Sequence, residues 1–330
     1  ALTALGERPP STRLGLYAAN LRLLAGHLVS PLLWPRCRVA PEMRRTAVRL
    51  YHYGAVYWYY LDENWSLFMH LNSMRLVHGQ PDTEERVRVL GAHAATAGSF
   101  GFKKAAVRYG DLTMEVARKV GTQSALAGGL FYSAAGLYHA GLWTGAAEEA
   151  PKALEANRAV GDYWTALQCA AATSLSLLAL GQTQAARAHY DRCRDWTSEL
   201  GSRTQVLPAI VLSNAVGSRF LILEGRFDEA LSLARRAREG AEQCPDLAIK
   251  LVGFNAFGRV ALATGGLEEA LAVLDVSVRE MFAHGVVHKF AAEGAELLAQ
   301  ACSLAYEATP HAKHLARCRR AIRKAFLWGW

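Results

Sequence analysis

Hydrophobic positions along this chain recur every three to four residues almost throughout, and no strand-like alternation persists. The clearest unit is 219–244, RFLILEGRFDEALSLARRAREGAEQC. It reads as the end of one helix, a tight turn at Gly225-Arg226-Phe227, and a second helix. Ala230, Ala234 and Ala237 fall at i, i+4 and i+7 on one face of that second helix. Small side chains there let a partner helix come close. Asp228 and Glu229 open the helix, where its dipole favours negative charge. A single hairpin cannot bury both of its apolar faces, so the unit needs neighbours of its own kind.

The unit recurs. Turn glycines fall at Gly101, Gly141, Gly181, Gly225 and Gly265, in steps of 40, 40, 44 and 40 residues. A second series, Gly79, Gly121, Gly161, Gly201 and Gly285, closes the hairpins, with first steps of 42, 40 and 40. Two interleaved glycine series with one period signal a solenoid. Glycine suits both places because helices often end on a left-handed residue. Small residues keep the same register: Ala106, Ala146, Ala186, Ala230 and Ala270 after the turns, and Ala94, Ala134, Ser174, Ser218 and Gly258 before them. The pattern predicts helices over 44–61 and 64–78, 84–98 and 103–120, 123–140 and 145–160, and 163–180 and 184–200. It continues over 205–224 and 228–243, 247–264 and 267–284, and 289–306 and 311–328. Pro151 and Pro208 fall near helix starts, where a missing N–H is tolerated. The expected fold is all-α, a solenoid of about seven antiparallel helical hairpins.

Three segments follow. Residues 1–41 form a helical lead-in or cap: Pro9-Pro10 and Ser11-Thr12 start a helix, Leu14, Leu21, Leu24 and Leu28 share its spacing, and Pro31 and Pro35 stop it. A helix lying on a membrane surface, edged by Trp34, Arg36 and Arg38, is one reading; a lid on the first repeat is the better one. Residues 42–310 are the repeat array, and 311–330 a basic capping helix. Its apolar stripe is Leu315, Cys318, Ile322 and Phe326. No uninterrupted apolar run is long enough to span a bilayer. The sequence begins at Ala1 and ends mid-helix at Trp330, which leads us to expect a piece of a longer protein.

With 52% hydrophobic residues the 330-residue chain can bury a large core. A net charge of +8 permits nucleic acid, anionic membrane or acidic protein partners and is too thinly spread to choose among them. The six cysteines, Cys37, Cys169, Cys193, Cys244, Cys302 and Cys318, form no CxxC pair and read as small buried thiols in a reducing cytoplasm.

Motifs for chemistry are missing. There is no GxxxxGK[ST] loop, no GxSxG elbow and no HExxH. His284 and His288 straddle Gly285; His311 and His314 lie three apart without a third ligand. We therefore expect no catalytic residue, no metal site and no cofactor. Three surfaces remain. Tyr51, Tyr57, Trp58, Tyr60 and Trp65, interleaved with Arg44, Arg45 and Arg49, either stack nucleobases or, as aromatics on both sides of a helix more often do, pack between helices. Arg317, Arg320, Arg323 and Lys324 form a basic patch, either a solvated face of the cap or a docking site for an acidic partner. Arg219 and Arg259 each stand six places before a turn glycine. With Asn255, Gln168 and Arg88 they would line a concave groove and clamp a carboxylate or acidic peptide, against the plainer reading of ordinary surface charge.

The small-residue hairpins resemble the tetratricopeptide repeat, although that unit has about 34 residues and this one about 40. Longer units of this kind are similar to the C-terminal repeat region of bacterial multidomain signalling ATPases. In those, an adenylate or guanylate cyclase or a Ser/Thr kinase is fused to an AAA-type ATPase. The segments LGERPP, RLGL and LLWPR, the aromatic opening YHYGAVYWYYLDEN and the basic ending ARCRRAIRKAF carry that resemblance. It implies a non-catalytic scaffold that binds protein or peptide, including the parent's own catalytic domains, in the cytoplasm. Nucleic acid and membrane are disfavoured as partners. Repeats of large ATP-binding transcription regulators, which sense a ligand or nucleic acid, are the alternative.

Overall fold

A computed structural model of the chain describes residues 3, 9–29, 31–35, 39–59, 62–204, 207–284 and 289–327. Among these lie fifteen α-helices and no strand. They are α1 (Arg13–Leu28), α2 (Arg44–Tyr59), α3 (Glu63–Val77), α4 (Glu84–Ser99), α5 (Lys103–Val120), α6 (Gln123–His139), α7 (Trp143–Ala159) and α8 (Tyr163–Ala179). The series continues with α9 (Thr183–Thr204), α10 (Leu207–Leu223), α11 (Phe227–Gln243), α12 (Leu247–Ala263), α13 (Leu267–His284), α14 (Lys289–Ala308) and α15 (Ala312–Leu327).

The turns explain the glycine series. Gly101, Gly141, Gly181, Gly225 and Gly265 all have φ between 70° and 82°, a region that costs side chains energy and glycine nothing. At each the chain folds back on the ending helix. Gly141 N–H donates to Tyr138 O at 3.0 Å and Leu142 N–H to Leu137 O at 2.9 Å, and the same pair recurs at Gly181 and Gly225. This Schellman arrangement satisfies carbonyls that the helix end would leave bare. The small residues then sit where the hairpin arms meet: Ala146, Ala186, Ala230 and Ala270 are wholly buried. At Gly258 a Cβ would come within 2.6 Å of Leu274 Cδ2.

Two sequence expectations are corrected. Gly201 ends no helix, because α9 runs through it to Thr204; a helical glycine costs about 1 kcal/mol, which the surrounding turns of helix absorb. Pro151 lies in the middle of α7 rather than near its start, so one helical hydrogen bond is forgone there. Gly285 lies outside the described residues.

The even-numbered helices from α2 to α14 are inner: successive members pack on one another as well as on their odd-numbered outer partners. Inner helices touching in series form one continuous wall along the array. A close backbone contact joins α4 and α6, where a Cβ on Gly98 would lie 2.5 Å from Gly136 O and one on Gly136 3.2 Å from Ala94 O. The core runs along the array as three large apolar clusters, centred on α1–α4, α6–α10 and α10–α14. Helix α1 packs on α3, where Asn20 Nδ2 donates to Asn64 O at 3.0 Å.

Candidate groove site

The inner helices present two adjoining features. The first is a cavity of about 90 Å³ between α6, α8, α10 and α12. Phe131 and Tyr138 of α6, Trp164 and Gln168 of α8, Leu212 of α10 and Val252 of α12 line it. Its wall is mainly apolar, with a few polar groups that can fix an orientation, as ligand sites tend to be. Asp246, also on the wall, caps α12 by accepting from Ile249 N–H at 3.1 Å. Burial raises its pKa above the usual carboxylate value despite that bond.

The second feature is a charge cluster. Arg219 of α10 and Arg259 of α12 both pair with one carboxylate, Glu293 of α14. The Arg259 and Glu293 side chains are about one-fifth exposed. Burial alone would raise Glu293; the two guanidiniums outweigh it and hold the carboxyl below its ordinary range. Burial, with Arg219 as a like-charged neighbour, pushes Arg259 down to about 10. Tyr138 links the two features. It lines the cavity, burial raises its phenol, Arg219 opposes that rise and Glu293 adds to it.

The structure brings three of the groove residues read from sequence to this region: Gln168 on the cavity wall, and Arg219 and Arg259 in the charge cluster. Asn255 turns away from it. It is buried, and its Oδ1 accepts from Ser277 Oγ of α13 at 2.7 Å. Arg88 stands at the other end of the inner wall, donating to Tyr53 OH of α2 at 2.9 Å.

Among the aromatics, Tyr51 is buried against Phe68, and Trp58 stacks on Trp65 with centroids 5.6 Å apart. Tyr57 is exposed, and Tyr60 lies outside the described residues. Arg45 and Arg49, interleaved with these aromatics, converge on Glu85 of α4 at 3.1 and 2.5 Å. In the basic patch Arg320 and Arg323 are exposed. Arg317 bridges to Asp275 of α13 at 2.8 Å and ties α15 to its neighbour. The Lys324 side chain is outside the described set. The apolar stripe of α15 is offset from expectation: Ala321 is buried and Ile322 about half exposed. His288 is outside the described residues, and among those described no three side chains are arranged so that they could hold a metal ion.

Sequence reading missed Glu293, Tyr138 and Trp164. Arg219 and Arg259 are each the thirteenth residue of their helices, whereas Glu293 is the fifth of α14. No repeat register pairs those positions. The glycine series also gave no inward direction for the aromatics of α6 and α8.

No family model matches the sequence, and no curated protein does. Solved structures do resemble it. A Rap protein complexed with competence and sporulation factor superposes with a TM-score of 0.62 at 13% identity, covering 99% of this chain and 91% of that one. Aspartyl phosphate phosphatase F from Bacillus subtilis gives 0.58 at 12%, with 99% and 86% covered. A signal transduction ATPase with numerous domains from Pyrococcus horikoshii, which carries a tetratricopeptide repeat sensor, gives 0.54 at 15%; this chain is 96% covered and spans 50% of that one. At such identities the likeness is one of fold, and the chain is an all-α solenoid of the tetratricopeptide-repeat kind.

Proposed function

We propose that this array is a non-catalytic interaction and regulatory region that binds peptide or protein on the wall of its inner helices. The observation that carries the reading is the joining of an apolar cavity to a pair of guanidiniums on neighbouring inner helices. An extended peptide needs that combination: a pocket to anchor a side chain, and fixed charges to set direction. The likeness to a Rap protein complexed with a signalling factor adds support. The likeness to half of an ATPase carrying a repeat sensor supports a place within a larger signalling ATPase; the link to a cyclase or a kinase rests on the sequence resemblance. There the groove binds a partner or the parent's own catalytic domains. A cytoplasmic setting suits its thiols: burial raises Cys169 to about 12 and Cys193 to about 11, which keeps them protonated and unreactive. A ligand-sensing repeat of an ATP-binding transcription regulator is the second reading, and it uses the same cavity.

Selection of a displayed random-peptide library on the intact chain, followed by hydrogen exchange of the best binder's complex, tests this. We expect protection on α6, α8, α10 and α12. Protection confined to the outer helices, or no enriched peptide, overturns the assignment.

A further inference from the structure

The charge cluster is under-filled. Two guanidiniums offer about ten N–H donors, and one carboxylate about four acceptor sites. Arg259 Nε is buried with no acceptor among the described residues. The next acid acting on Arg259 is Glu296, and it is exposed. A third helix, α14, thus supplies one carboxylate to a place built for more. That place lies two helical turns along α10 and α12 from Leu212 and Val252 of the cavity wall, on the same helix faces. The cavity holds the volume of about three waters, on the order of one branched or aromatic side-chain tip.

Building on the peptide-groove reading, we propose that Glu293 is an internal stand-in for a ligand carboxylate. The groove takes a peptide with an apolar side chain followed by an acidic one. The apolar group enters the cavity beside Trp164 and Val252. The acidic group takes the guanidiniums of Arg219 and Arg259 and displaces Glu293. Charge complementarity selects this occupant: in a partly dry site a bidentate carboxylate satisfies arginine donors that a neutral amide leaves bare. Displacement of Glu293 also breaks the ion pairs that join α14 to α10 and α12, so binding is felt at the C-terminal repeat.

The test uses two fluorescein-labelled synthetic peptide pools on the full chain, read by anisotropy. One pool fixes Leu or Phe followed by Glu; the other has Gln in place of Glu. We expect the acidic pool to bind at least tenfold tighter. Glu293→Gln should tighten the acidic pool further, because the internal competitor is gone. Arg219→Gln should erase the preference, and Arg219→Lys should restore part of it. As a label-free readout of the same linkage, the acidic pool should raise the melting temperature of Glu293→Gln more than that of the wild type. Equal binding of the two pools, with exchange protection still on α6 and α8, overturns this proposal and leaves the peptide groove standing. Binding of neither pool overturns both.

Discussion

The Nε2 atoms of His27 and His93 lie 2.8 Å apart, and Nδ1 of His93 lies 3.0 Å from Nε2 of His70. Three imidazoles from α1, α4 and α3 thus form one hydrogen-bonded chain. Each neutral ring donates once and accepts once, so the chain is satisfied with all three neutral in either direction. One added proton leaves both bonds intact; a second must break one. Tyr109 of α5 and His52 of α2 complete the surroundings, with Arg88 acting on His52. Burial, aided by the neighbouring rings, lowers His70 to about 3 and His93 to about 2; burial and Arg88 lower His52 to about 4.

Acid should therefore loosen the N-terminal end. These groups bind protons in the unfolded chain near their ordinary 6.5 and not in the folded one, so the unfolded state takes up more protons as pH falls below that value. Stability is full above about pH 7 and declines downward at up to about 1.4 kcal/mol per pH unit for each group. Carboxylates such as Glu293 and Glu85, held below their ordinary range, contribute only at lower pH. From pH 7 to 5 the histidines set the fall, with His189 of α9, lowered to about 4 by burial, as a further contributor and Asp246, raised by burial, acting in the opposite sense. Thermal melts at pH 7, 6 and 5 should show a falling midpoint, with hydrogen exchange rising first in α1, α3 and α4. A midpoint flat across that window would refute this.

The close approach of α4 and α6 should be sensitive to a single carbon. A Cβ on Gly98 meets Gly136 O at 2.5 Å, backbone that has nowhere to move, whereas one on Gly128 meets nothing within 4 Å. Gly98→Ala should destabilise by about 1–3 kcal/mol through overpacking. Gly128→Ala, in the same helix pair, should stabilise by up to about 1 kcal/mol as a helical substitution. Urea unfolding of both variants checks the contrast. Equal effects would mean that the two helices are not in contact at Gly98.

Much of this architecture was legible because glycines and alanines repeat for reasons of backbone geometry. A left-handed turn residue and a zero-clearance contact each exclude most side chains, so Gly141 and Ala146 announce their places. The charge cluster was half legible. Arg219 and Arg259 share a register; Glu293 comes from a longer helix whose offset along the wall no local pattern states. Asn255 shows the opposite failure. Its spacing from Arg259 places both on one broad face, yet the small Ser277 and Gly294 beside it open room for the amide to turn into the core. The histidine chain was invisible because His27 is 43 residues from His70 and 66 from His93, and only the packing of α1 brings it in.

Asn157 should act as a clamp between the two arms of one hairpin. It is buried near the end of outer helix α7, and its Nδ2 donates to Ala127 O of α6 at 3.1 Å and to Ala153 O of its own helix at 2.8 Å. Asn157→Leu removes both donors from a dry site and should cost about 1–3 kcal/mol. Asn157→Asp should do at least as much harm at neutral pH, since an ionised carboxylate has no hydrogen to offer either carbonyl. Denaturant melts of the two variants decide it, and an unchanged midpoint for both would remove the clamp.

Glu293 should be worth more to stability than either arginine it joins. Removing it leaves two guanidiniums facing each other in a partly dry site, and breaking a buried pair from one side costs about 3 kcal/mol. Removing Arg219 leaves the Arg259–Glu293 pair matched one to one, so Arg219→Met should cost less, with its apolar stem still covering the wall. The double variant Arg219→Met with Glu293→Gln should be less damaged than the sum of the singles, because only one unpaired charge remains. Chemical denaturation of all three variants measures the coupling directly. Strict additivity would show that the two side chains do not interact, and the clamp geometry would have to be abandoned with it.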